Sequence, residues 1–158
     1  MLLGKLDPGA SSPEEATARL GDWYAKQVQL ESGSAIVLLS APTLLPVVMP
    51  GSDIAAIESD FGRYLSELLQ RLDVPAATRA AEVDACASVA FRRAEDRSLL
   101  ASLNDAGQLV AHLSAGDATA DLTDLALRMA TRPSKRLGYR FPAEAAVESL
   151  SGGGASAF

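Results

Sequence analysis

Residues 23–39 read WYAKQVQLESGSAIVLL, and this stretch decides the fold class. Tyr24, Val28 and Leu30 fall on one face of an extended chain, with Lys26 interrupting their row, while Gln27, Gln29 and Glu31 fall on the other. That is the alternation of a half-buried strand. Ser32, Gly33 and Ser34 make a turn, and residues 35–39 are apolar without a break, as in a central strand covered on both faces. The two strands therefore form a hairpin.

On the C-terminal side, residues 43–49 have strand composition, but Pro46 lacks the N–H that an inner ladder needs, which places the strand at an edge or gives it a bulge. Pro50 and Gly51 close it. From Asp53 the period changes: Ile54, Ile57, Phe61, Tyr64, Leu65, Leu68, Leu69 and Leu72 make one wide apolar stripe at helical spacing. Pro75 starts an Ala-rich helix to about Ala85, and residues 88–91 form a short strand. Asp96 then caps a helix to about Ser114 that carries Leu99, Leu103, Val110 and Leu113 on one face, before Gly116 stops it. Two further helices are expected over residues 120–129 and 142–150. On the N-terminal side, Ser12, Pro13, Glu14 and Glu15 are a helix start, and Gly21 ends that helix. Strands come first and helices after, which predicts an α+β fold: a small antiparallel sheet of three or four strands, the hairpin plus an edge strand, packed against several helices. One domain is expected over residues 1–150, followed by a flexible Gly/Ser/Ala tail at 151–158.

The composition fits a folding chain. Of 158 residues, 48% are hydrophobic and 22% charged, far from the polar, highly charged corner where chains stay disordered. No apolar run is long enough to span a bilayer, since the best candidate, residues 35–49, is broken by Pro42 and Pro46. The first six residues are too short for a signal peptide, and the single Cys86 allows no internal disulfide, so a cytoplasmic protein without membrane contact is expected. Arg far outnumbers Lys, which occurs only at Lys5, Lys26 and Lys135, and Ala is abundant, as in a high-GC bacterial genome. The net charge of -6 disfavours nonspecific binding to a polyanion, yet Arg128, Arg132, Lys135, Arg136 and Arg140 follow one another with no acid among them.

Four stretches carry a resemblance: residues 22–25 (DWYA), the hairpin running into 47–51 (VVMPG), 97–105 (RSLLASLND) and 137–142 (LGYRFP). Together they resemble a bacterial domain-of-unknown-function family with the pattern D-W-Y-A, R-S-L-L-x-S-L-N-D and L-G-Y-x-x-P. Ala101 stands where that family usually has Gly. The resemblance implies a fold grouping and a bacterial accessory protein, and no established activity.

Three functional readings follow from the residues. A polar site would lie on the helix that starts after Asp96, where Arg97 and Asn104 are two turns apart on one face, Asp105 is beside Asn104, and His112 follows Asp105 by seven residues. The alternative there is structural, with Asn104 and Asp105 tying a neighbouring element to the helix. An anion or nucleic-acid patch would consist of Arg128, Arg132, Lys135, Arg136, Tyr139 and Arg140, the cations holding phosphates and the ring stacking on a base. Against it stands the preference of cations for helix C-termini. A protein-docking face would use Trp23, Tyr24 and the strand edge at Pro46, unless Trp23 is a core aromatic. No phosphate loop, dinucleotide fingerprint or nucleophile elbow occurs, and one Cys and one His are too few for a zinc site, so no cofactor and no metal are expected. The expected function is a non-catalytic module that binds another protein, with nucleic-acid binding through residues 128–140 as the alternative and an enzyme centred on Arg97, Asn104, Asp105 and His112 as the second alternative.

Overall fold

The computed structural model describes residues 2–7, 18–87, 90–92 and 95–155. The hairpin forms as its pattern predicts. Strand β2 (Trp23–Leu30) pairs antiparallel with β3 (Gly33–Ser40), which pairs in turn with β4 (Pro46–Pro50). These strands are joined on the open side of β2 by β1 (Leu2–Asp7) and then β5 (Ala90–Arg92), giving a five-stranded antiparallel sheet in the order β4-β3-β2-β1-β5. The sheet is thus larger than the three or four strands expected. The extra strand β1 is irregular, with a register shift between Leu2 and Gly4, and so shows no clean alternation in sequence. The short strand near residue 90 is present as β5; Ser88 and Val89 lie outside the described residues, as does the helix start at Ser12.

Both faces of the hairpin are covered. Residues 35–40 of β3 are all buried, as a strand enclosed from two sides requires. Successive side chains of β2 point to opposite faces, and its contacts name the cover on each. Trp23 meets Phe61 of helix α1 (Ile54–Arg71) edge to face, with ring centroids 5.1 Å apart. Lys26 and Val28, on the opposite face, lie beneath helix α3 (Arg97–Ser114). At Gly107 that helix crosses so close that a Cβ would stand 3.1 Å from Val28 Cγ1. Helix α1 starts at the Asp53 cap and buries Ile57, Phe61, Leu65, Leu68 and Leu69, five of the eight residues of the predicted stripe, while Ile54 at its start is exposed and Tyr64 and Leu72 are half-buried.

Helix α2 (Ala76–Ala85) packs on α1, and helix α4 (Leu122–Ala130) packs on β4 while touching both α1 and α3. Arg71 links α1 to α4 by reaching Asp121, the α4 N-cap, at 2.9 Å. This guanidinium, together with the Asp124 backbone N–H, holds the Asp121 carboxyl below the usual carboxylate range. Helix α5 (Pro142–Ala155) continues past Leu150 into the Gly/Ser/Ala segment. The buried apolar residues form one cluster from Leu20 to Leu150.

The placement of α4 corrects the docking face expected at the hairpin. Strand β4 does lie at a sheet edge, as Pro46 requires, but residues 46–49 are buried and α4 closes that side by bridging the helices of the two faces. Trp23 is completely buried, and Tyr24, on the opposite face of β2, is buried as well. Both aromatics belong to the core.

Candidate functional site

Helix α3 is capped by Asp96, whose carboxylate accepts from the N–H groups of Ser98 and Leu99 at 3.0 and 3.1 Å. The candidate residues along it are not gathered. Arg97 and His112 are exposed at opposite ends, about 22 Å apart at helical rise. Asn104 turns to the sheet and accepts from Lys26 Nζ at 2.6 Å. Asp105 enters a cavity of about 220 Å³.

That cavity is built from segments distant in sequence, with Pro142 at the start of α5 also in its wall. Helix α3 supplies Ser102, Asp105 and Leu109, the end of α4 and the residues after it supply Met129, Arg132 and Ser134, and the β3–β4 connection supplies Leu44 and Pro46. The connection is locked by two hydroxyls. Ser40 Oγ donates to the Leu20 carbonyl at 2.7 Å, Thr43 Oγ1 donates to Ser40 Oγ at 2.7 Å, and the Leu45 N–H donates to Thr43 Oγ1 at 3.2 Å. Between them Leu44 sits at φ 59°, a left-handed conformation that an ordinary L-residue adopts only when its surroundings impose it. Sequence reasoning passed over this lock. Its only signal was a pair of hydroxyl residues, Ser40 and Thr43, set in an otherwise apolar run.

The basic segment resolves into paired and unpaired cations. Arg136 donates to Ser98 Oγ and lies 3.8 Å from Asp96, and Arg140 pairs with Glu148. The side chains of Arg128, Arg132 and Lys135 are exposed, with no ion pair or hydrogen bond among the described residues. The loop after α4, which carries Arg132 and Lys135, is closed on itself: Ser134 and Arg140 form a β-bridge, the Tyr139 N–H donates to the Ser134 carbonyl at 2.7 Å, and a 3₁₀ turn (Lys135–Leu137) fills the space between. Gly138 and Tyr139 both have positive φ, 66° and 67°. The result is an aromatic side chain 68% exposed on a turn, with Phe141, 38% exposed, two residues on.

Two of the patterned stretches, residues 97–105 and 137–142, meet at the cavity, whose wall holds Ser102, Asp105 and Pro142. A family model described as Domain of unknown function (DUF6933) matches residues 1–145. The chain belongs to that family. No curated protein and no solved structure matches it. Membership fixes no reaction. Among the described residues no three of His, Cys, Asp and Glu cluster as metal ligands would. Cys86 is buried, and that burial, with the charge of Glu82 beside it, pushes its thiol up to about 12. No helix is long and apolar enough to cross a membrane.

Proposed function

We propose that the chain is a non-catalytic interaction module, an accessory protein of the bacterial cytoplasm that binds another protein through the loop of residues 131–141. One observation carries the reading: Tyr139 stands exposed on a hydrogen-bonded turn whose backbone is left-handed at two consecutive residues. A bulky residue at positive φ costs about 1 kcal/mol or more, and no contact with the core repays it, because the ring faces solvent. Tyrosine held in this way loses little entropy on binding and is a usual interface anchor. Phe141 widens the apolar contact, and Arg132 and Lys135, without an ion pair or hydrogen bond among the described residues, give the surface a positive rim. The matching partner is a protein surface with a pocket for the ring and acidic residues around it.

Nucleic acid is less well matched. Two of the five cations already hold carboxylates, and the rest of the chain is acidic. Affinity capture with the intact chain, followed by mass spectrometry, tests the reading. A protein retained by the wild type and lost with Tyr139→Ala is the expected result. Retention of DNA or RNA that fades between roughly 50 and 200 mM salt and disappears with Lys135→Glu would replace protein binding by nucleic-acid binding.

A further inference from the structure

The cavity beside the loop is lined by apolar side chains and by two opposite charges, neither of which has a partner among the described residues. Asp105 and Arg132 line the same space of about 220 Å³. Yet no ion pair joins them, and neither side chain has a hydrogen bond to any other group among the described residues. Elsewhere on the surface, cations near carboxylates do pair, as Arg71 does with Glu67 and Asp121, Arg136 with Asp96 and Arg140 with Glu148. The same lining includes the apolar side chains of Leu44, Pro46, Leu109 and Met129.

We infer that this cavity binds a free aliphatic α-amino acid, its ammonium on Asp105, its carboxylate on Arg132 and its side chain against Leu44, Leu109 and Met129. A zwitterion is the ligand whose charges complement both groups at once, and a guanidinium is suited to take a carboxylate through two N–H bonds. Size points the same way, because the space exceeds the roughly 150 Å³ that admits benzene and falls short of the roughly 300–1,000 Å³ of drug-sized sites. The wall is also fixed in advance. The Ser40–Thr43 hydroxyl pair holds Leu44 in its left-handed conformation without any ligand, so little ordering remains to be paid on binding. The inference rests on the cavity alone and stands whether or not the Tyr139 loop binds a protein.

Isothermal titration of the intact chain with L-leucine and L-methionine, alongside glycine, N-acetyl-L-leucine and L-leucinamide, tests it. Saturable binding of the two aliphatic amino acids is expected, with glycine weaker for want of a side chain. Blocking either charge should weaken binding about tenfold or more, the effect of losing a charge-assisted hydrogen bond. The variants then assign each end: Asp105→Asn should remove the discrimination against N-acetyl-leucine, and Arg132→Gln that against leucinamide. Both positions are exposed, so folding is not at stake, and circular dichroism checks it. Absence of saturable binding up to roughly 10 mM leucine, equal binding of the blocked derivatives, or indifference to both substitutions would each overturn the assignment.

Discussion

Lys26 Nζ donates to Asn104 Oδ1 across 2.6 Å, joining the middle of β2 to the middle of α3. The contact explains two residues that looked out of place. Lys26 interrupts the apolar row of β2 because its stem lies beneath Gly107 of α3 while its ammonium reaches the helix flank. Asn104 is a poor helix former in mid-helix because its amide receives that ammonium. The bond is exposed, so its contribution is modest. Replacing either residue by Ala should cost about 0.5–1 kcal/mol, and a double-mutant cycle followed by urea denaturation should give a coupling of about 0.5 kcal/mol. Additive effects would show that the two side chains act independently in solution.

Glu82 carries a larger share. It is 2% exposed, yet its carboxylate lies among apolar side chains to accept from the N–H groups of Arg19 and Leu20 at 2.9 and 3.1 Å. Those donors belong to the chain entering β2, so the carboxylate pins that entry to α2. Glu82→Ala leaves two main-chain donors without a partner and should cost about 2–4 kcal/mol, whereas Glu82→Gln keeps one acceptor oxygen and should cost about half as much. Chemical denaturation of both variants checks the order, and equal losses would mean that the packing of the stem matters more than its oxygens.

Cys86 gives a dependence on alkali. Its thiol is raised from the ordinary 9.0 to about 12 by burial and by the charge of Glu82. The folded state therefore keeps the proton after the unfolded chain has begun to lose it. The stabilisation is fully present below pH 9 and is lost as pH rises toward 12, with a slope of at most about 1.4 kcal/mol per pH unit. Denaturation curves across that window should show a steeper fall in stability for the wild type than for Cys86→Ala. A thiol reagent at pH 8 should leave the native chain unmodified and label it once urea unfolds it.

The elements that could be read from the sequence are those whose partners lie nearby along the chain. The α1 stripe repeats at the helical period over residues 54–72 and buries five of the eight residues it names, and β2 and β3 alternate or run apolar on either side of a tight turn. Pro46 placed β4 at an edge correctly, because a missing N–H is a local fact. What covers that edge was not legible. Helix α4 begins more than seventy residues later, and its apolar face states only that it packs, not on what. How the candidate residues are distributed was hidden for the same reason. Helical spacing grouped Asp105 with Arg97 and His112, whereas the fold brings it to the same cavity as Arg132, on another element, and the cavity exists only when segments distant in sequence meet. Strand β1 escaped because Leu2, Leu3 and Gly4 show no alternation and its pairing with β2 is irregular.

Tyr139 provides the sharpest separation of fold from function. At φ 67° the residue suits glycine better than tyrosine, and with the ring 68% exposed little packing is lost when it is removed. Tyr139→Gly relieves the backbone strain, about 1 kcal/mol, and gives back a similar amount through the greater freedom of glycine in the unfolded chain. Stability should therefore change by no more than about 0.5 kcal/mol, and the hydrogen bond from residue 139 to the Ser134 carbonyl, a main-chain bond, should survive. Partner capture should nevertheless be lost, as with Tyr139→Ala, because the anchor is gone while its support remains. Thermal denaturation and affinity capture on the same preparation read both quantities. A variant that unfolds several degrees earlier would make Tyr139 a structural residue, and one that keeps its partner would move the docking surface away from this loop.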